Sequence, residues 1–413
     1  MRFENIRLDN GLQIIAEVNP QAFSQSLGYF VKTGARDETA EMAGVSHFLE
    51  HMVFKGTARR SAQDVNRELD ELGANSNAYT SEDQTVYYMS VIPEQQEHSV
   101  DLLTDLMRPA LRDEDFETER QVILEEIAMY DDSPPYGAME RCMEQYFGNH
   151  PLSTRVLGTP HTVGTLDTDS MREYHHQRYA SDNLCLVATG NVDFEALVEQ
   201  AERITQKWYP GKFQRKQQVS KHQSSHLELQ HAPAVQQYTF QLAAGVSRND
   251  PKRYANRLMA TILGDDSGSR MFWSLVDPGL AESAGMFAQE YDDCGLVGLY
   301  LTCAPEETQE NWDILLELVH DDDDGAKITQ SELEIARNKL LSAIILSSER
   351  PGNRLFTIGN AMTLRGVYET LEQSLDNYRR VDLESVQNAL DEFRKQPAAC
   401  VTVGPQLSVL KVG

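Results

Sequence analysis

Apolar and polar positions alternate along the first half of the chain in short blocks that switch between a period of two and a helical period. Ile6-Arg7-Leu8-Asp9-Asn10-Gly11-Leu12-Gln13-Ile14-Ile15 predicts a hairpin about Asn10-Gly11, a dipeptide that accepts the positive φ of a tight turn. Residues 26–32 predict a second strand. Residues 61–72 predict a helix with Ser61 and Asp64 as a capping box and Gly73 as its stop. A long strand follows over 84–92, then a helix after Pro93 that packs through Val100, Leu103, Leu106 and Met107 and ends at Pro109. Past a polar, basic stretch carrying Lys212, Arg215, Lys216, Lys221, His222 and His226, the strand and helix patterns return at 235–242 and 250–263. That order echoes residues 26–54. The expectation is an α+β protein of two duplicated domains, each a mostly antiparallel sheet backed by helices: residues 1–211, a linker over 212–227, and residues 228–413.

Composition agrees with this size and narrows the function. A chain of 413 residues, 40% hydrophobic and 24% charged, exceeds one ordinary domain. Its net charge of −27 argues against nucleic acid and anionic membrane surfaces and favours cationic partners. No apolar run is long enough to cross a membrane, and residues 1–7 lead into a strand pattern rather than a signal peptide, so a cytoplasmic location is expected. Cys142, Cys185, Cys294, Cys303 and Cys400 are odd in number and widely spaced, without a C-x-x-C pair, and read as reduced structural residues. Asp321-Asp322-Asp323-Asp324-Gly325 reads as a solvated loop.

The candidate chemistry lies in His47-Phe48-Leu49-Glu50-His51. On a helix, His47 and His51 share a face and Glu50 stands beside them, the H-x-x-E-H spelling of a hydrolytic zinc site. Val45, Phe48, Leu49 and Met52 would also suit a plain buried helix, but two histidines four apart with a carboxylate between them exceed what packing needs. A catalytic zinc takes three protein ligands and leaves a position for water, so a third ligand is required. The acidic helical stretch over residues 113–127 is the best source. Glu119 and Glu126 lie two turns apart on one face, and periodicity leaves Glu125 and Glu126 both open as the metal-facing carboxylate.

Together these motifs resemble the pitrilysin-type, insulinase-like zinc metallopeptidases, and most of all their short two-domain branch of processing peptidases. The likeness continues through Gly73-Ala74-Asn75-Ser76-Asn77-Ala78-Tyr79-Thr80, Thr85-Val86-Tyr87-Tyr88, His150-Pro151-Leu152, Leu157-Gly158-Thr159, Tyr179, Asn183 and Gly190-Asn191-Val192-Asp193, nearly the whole first half. In that family a glutamate ligand follows the second histidine by some 75 residues, and here 126 − 51 = 75. The resemblance therefore implies one zinc ion held by His47, His51 and Glu126, with Glu50 as general base and Glu119 as an auxiliary acid. It implies recognition of an extended peptide at the strand that Asn77-Ala78-Tyr79-Thr80 enters, with Asn77 as the contact. It also implies a metal site in the first domain alone, since Arg257-Leu258-Met259-Ala260 stands where the second copy of the pentapeptide would fall. A short chain of this kind is expected to close a chamber with a partner, as a homodimer or with a related subunit.

The second half departs from the family. Val276 and Glu282 occupy places where it often has an arginine and a tyrosine that grip substrate, and Arg270 is an alternative grip. The function expected is a zinc endopeptidase of short or unfolded peptides. The alternative is a weakly catalytic member serving as a binding or scaffolding subunit.

Overall fold

The computed structural model describes residues 1–211, 213, 215, 218, 224–320, 327–407 and 410. Lys212, Lys216, Lys221 and His222 of the expected linker, and the 321–325 acidic run, lie outside them.

Eleven strands among the described residues form two sheets. The first contains β1 (Arg2–Arg7), β2 (Gln13–Val18), β3 (Gln25–Val31), β4 (Asn75–Thr80), β5 (Thr85–Val91) and β6 (Leu184–Gly190) in the order β1-β2-β6-β3-β5-β4. The second contains β7 (Ser225–Gln230), β8 (Gln237–Gly245), β9 (Ser283–Glu290), β10 (Gly295–Cys303) and β11 (Ala398–Gly404) in the order β7-β11-β8-β10-β9. With β1 set aside, the two orders are the same. In each, one pair is parallel, β2 with β6 and β7 with β11, and the other pairs are antiparallel. The expected duplication is thus present in the strand topology.

Local signals act at the positions that carry them. Gly11 has φ +93° in the hairpin turn, and Ile6 pairs with Ile14. Ser61 caps the helix Ala62–Glu71 reciprocally with Asp64, and Gly73 follows at φ +60°. The predicted linker is shorter than 212–227 because β7 begins at Ser225: Leu227 and Leu229 alternate with polar residues and pack against apolar neighbours. At the linker's start Arg215 is tied down, its guanidinium donating to Asp37 Oδ1 at 2.9 Å and to the Asp83 carbonyl at 2.6 Å.

The compact units are not the contiguous halves 1–211 and 228–413. The first joins Met1–Ile127, Thr154–Lys216 and Ile345–Glu369; the second joins Ala128–Ser153, Gln217–Ile344 and Thr370–Gly413. The reason lies in the faces of the sheets. In the first unit Ile14, Leu27, Tyr29, Leu186 and Ala188 point into one core, whereas Ile15, Phe30, Cys185 and Val187 point to the opposite face, where Leu355 and Ile358 of the helix Pro351–Asn360 cover them. A strand apolar on both faces needs a helix on each. The second unit repeats the device: the helix Pro134–Phe147 lays Ala138, Cys142 and Tyr146 on Leu242, Ala399 and Val401. Both covering helices begin with proline, whose missing N–H costs nothing in a first turn. No helix among the described residues is long and apolar enough to cross a membrane, and all five cysteines are free.

Candidate metal centre

The pentapeptide occupies the helix Val45–Val53 of the first unit. Val45, Phe48, Leu49, Met52 and Val53 are fully buried and anchor it, leaving His47, Glu50 and His51 on the remaining faces. Its N-terminus is held firmly. Gly44 has φ +95°, and a Cβ there would meet the Leu157 carbonyl oxygen at 2.7 Å, so only glycine fits. Glu38 takes the role of a cap, accepting from Gly44 N and Ser46 N at 2.7 Å each. Burial outweighs those bonds and pushes the Glu38 carboxyl up to about 8. Ser46 also shares a 2.7 Å hydrogen bond with the Tyr174 hydroxyl.

The helix Asp113–Asp131 brings the acidic stretch to the same place. Phe116, Glu119, Ile123 and Ile127 form its buried stripe, and Glu126 flanks that stripe, whereas Glu125 is exposed. Packing thus chooses between the two carboxylates that periodicity left open. One ligand atom from each of His47, His51 and Glu126 lies within 4.8 Å of the others, and no other such group of three occurs among the described residues. Glu126 Oε2 is 3.8 Å from His47 Nε2 and 3.6 Å from His51 Nε2.

Neighbouring charges suit the two imidazoles to one ion. Burial and then the His51 charge push His47 down to about 3, so it is neutral and has a lone pair to offer. His51 Nδ1 lies 2.8 Å from Glu119 Oε1, which makes Nδ1–H the donor and turns Nε2 toward Glu126. Burial alone would lower the His51 pKa, but the Glu119 hydrogen bond with the Glu126, Glu119 and Glu50 charges raises it instead. Lys55 ion-pairs with the other Glu119 oxygen. Burial acts to raise the Glu119 carboxyl, but its bonds to His51 and Lys55 outweigh that and hold it below its usual range. Glu50 is raised chiefly by burial, and it accepts a 2.6 Å hydrogen bond from Thr80 Oγ1.

Thr80 closes β4, and β4 is an edge of the first sheet, paired among the described residues with β5 alone. Residues 77–80 are expected to lead into the substrate-binding strand, and the next strand predicted is 84–92; in the structure that strand, β5, lies inside the sheet, and residues 75–80 form a strand of their own at its edge. Asn77 is exposed on it, its Oδ1 accepting from the Ala78 N–H at 2.8 Å. In the second unit Val276 packs against the apolar core. Arg270 is committed to Glu332, at 2.7 and 3.0 Å, and so is not an open grip.

Sequence reasoning assigned no role to Thr80, Lys55 or Glu38. Lys55 had a signal, four residues past His51. Thr80 had only its place in the family-like segment 73–80, and Glu38 had none, because each reaches the site through a turn or a sheet rather than along a helix.

Two copies of one sheet-and-helix unit, with the only metal-capable cluster among the described residues in the first, define a class of duplicated proteins with a single candidate metal centre. The chain belongs to the insulinase family of peptidases, family M16. Residues 13–160 match the family's insulinase domain and residues 165–340 its M16 inactive domain. The zinc protease YmxG of Bacillus subtilis is 30% identical over 96% of this chain and 97% of its own length. A zinc protease of Streptomyces coelicolor is 31% identical, with 96% and 88% covered. The crystal structure of a protease from Helicobacter pylori shares the fold at a TM-score of 0.89 and 19% identity, over 97% of this chain and 99% of that one. A peptidase M16 inactive domain from Pseudomonas fluorescens does so at 0.87 and 17%, with 98% of both covered.

Proposed function

We propose that this protein is a zinc-dependent endopeptidase of short or unfolded peptides, with His47, His51 and Glu126 as ligands of one ion and Glu50 as general base. The observation that carries the reading is the convergence of three ligand atoms within 4.8 Å beside a buried carboxylate, at the end of an edge strand. The donor set fits zinc, since two imidazoles and one carboxylate leave a fourth position open, and the relatives are named zinc proteases. When bound, the metal supplies a Lewis acid for the peptide carbonyl and an acidified water.

Glu50 takes the proton of the attacking water and returns it to the leaving amine. Burial raises its affinity for that proton, and Thr80 fixes one of its oxygens. Glu119 holds the His51 tautomer. An extended substrate pairs with the free edge of β4, beside Asn77, so that its backbone runs toward Glu50. The net charge of −27 favours basic peptides. The proposal extends to a homodimer or a pairing with a related chain, to be read by sedimentation.

The test is cleavage of a mixed peptide library by zinc-loaded wild type and Glu50→Gln, with products identified by mass spectrometry and metal content measured in both. Cleavage by the wild type alone, with zinc in both, supports the reading. Cleavage by neither, with full zinc, overturns it for the chain alone. That result would favour a binding or scaffolding subunit, the reading to which Val276 in the core and the Arg270–Glu332 pair lend support.

A further inference from the structure

We propose that the cavity between the 108–111 turn, the helix Thr168–Arg178 and residues 207–209 of the first unit binds a small phosphate-type oxyanion, inorganic phosphate or a phosphate monoester. The cavity measures about 280 Å³. That is at or below the small end of ordinary ligand sites, about 300 to 1,000 Å³, and so suits a compact anion rather than a large organic molecule. In a chain with 64 acidic and 37 basic residues, its wall carries Arg108, Arg172, Lys207, His175 and His176 and no carboxylate.

Arg108 is the centre of the argument. Its guanidinium lies 3.7 Å from the Trp208 ring centroid, and its Nη1 donates to the Met107 carbonyl at 2.6 Å. Among the described residues no carboxylate pairs with it. Stacking on an aromatic face orients a guanidinium without neutralising it, and most of its five donors stay available. A cation withdrawn from water without a counter-ion is unfavourable, and here burial pushes Arg108 down to about 10 with only Tyr29 and Tyr209 acting against it. The same positive field reaches His175, which burial and then Arg108 push down to about 3. Lys207 is exposed at the rim and has no ion-pair partner among the described residues.

Backbone strain coincides with this place. Leu111 is the only non-glycine with positive φ among the described residues, at +47°, and it lines the cavity. Its carbonyl accepts from Arg172 Nη2 at 2.7 Å. The remaining Arg172 bonds go to Asp113 and Asp169, which are 76% and 92% exposed, so water already screens those pairs. Arg172 is thereby fixed at the wall, with both its carboxylate partners outside the cavity lining and open to solvent. A guanidinium fork with a second cation beside it matches the geometry and double charge of phosphate better than the single charge of a carboxylate.

The test is calorimetric titration of the full chain with sodium phosphate at constant ionic strength, with methyl phosphate and acetate as parallel arms. The expected result is saturable one-to-one binding of phosphate, weakened about ten-fold or more by Lys207→Gln and abolished by Arg108→Gln. Methyl phosphate binding as well as phosphate would extend the site to monoesters; its failure would restrict the site to the inorganic ion. No saturable phosphate binding would overturn the proposal, as would binding that neither substitution changes, which would place the anion elsewhere. Acetate binding as tightly as phosphate would overturn the assignment of ligand class. Should Arg108→Gln fail to fold, Lys207→Gln decides, since Lys207 is exposed.

Discussion

Replacing Glu119 by Gln isolates the charge behind His51. The amide keeps an oxygen to accept the Nδ1–H that Glu119 now accepts at 2.8 Å, so ring orientation and tautomer survive and only the negative charge is lost. The Glu119 side chain is 5% exposed, and water therefore screens that charge little. Lys55 is 35% exposed and can turn its ammonium toward solvent, so its loss of a partner adds little. A hydrogen bond involving a charged group contributes about 1.5 to 3 kcal/mol and a neutral one about 1, a difference of about 0.5 to 2 kcal/mol. That converts to about 2- to 30-fold in metal affinity, overlapping the roughly 10- to 100-fold found when partners of metal-bound histidines are removed. The assay is competition with a chromophoric chelator at neutral pH, with Glu126→Gln alongside, which must lose more because it removes a ligand. An unchanged Kd in Glu119→Gln would refute the reasoning, because the buried charge would then contribute nothing to the basicity of His51.

Thr80→Val removes the 2.6 Å hydrogen bond to Glu50 without touching a ligand, so kcat should fall while zinc content stays stoichiometric; equal losses of both would contradict a role confined to the base. Glu38 sits at about 8 in the folded chain against an ordinary 4.5, so the folded state keeps a proton that the unfolded chain gives up. Its contribution is complete below about 4.5 and is lost as pH rises through about 8; denaturant titrations should show wild type weakening relative to Glu38→Gln over that window, by at most about 1.4 kcal/mol per pH unit. Arg354 ion-pairs with buried Glu17, its Nε donating at 2.8 Å, and Arg354→Met should cost about 3 to 5 kcal/mol in thermal or chemical unfolding; joint replacement with Glu17→Met should recover most of it, and a double variant no better than the single one would count against the pair. Gly44→Ala must place a Cβ 2.7 Å from the Leu157 carbonyl at positive φ, so a lowered melting temperature is expected, and an unchanged one would show that this crossing can relax.

Features set by neighbours along the chain are legible in the amino-acid sequence by itself. His47 and His51 share a face because the helical repeat puts residues four apart side by side. Asp64 closes a capping box on Ser61 because three residues span one turn. Gly11 and Gly73 adopt positive φ where the pattern changes element. The duplication itself could be anticipated from the recurring strand and helix patterns, since period encodes which face is buried. What chain pattern could not reveal are relations between segments far apart in sequence, which depend on which surfaces remain to be covered once the sheets form. Glu126 rather than Glu125 turns to the histidines because Phe116, Ile123 and Ile127 fix the rotation of their helix. β4 is an edge, and Thr80 meets Glu50, because of strand order, which no local pattern states. The helices Pro134–Phe147 and Pro351–Asn360 cover the sheets of the opposite halves, and three cations gather around one cavity, through the same long-range closure. A period of two or of 3.6 specifies that a face will be buried; the partner that buries it is chosen by the packing of the whole chain.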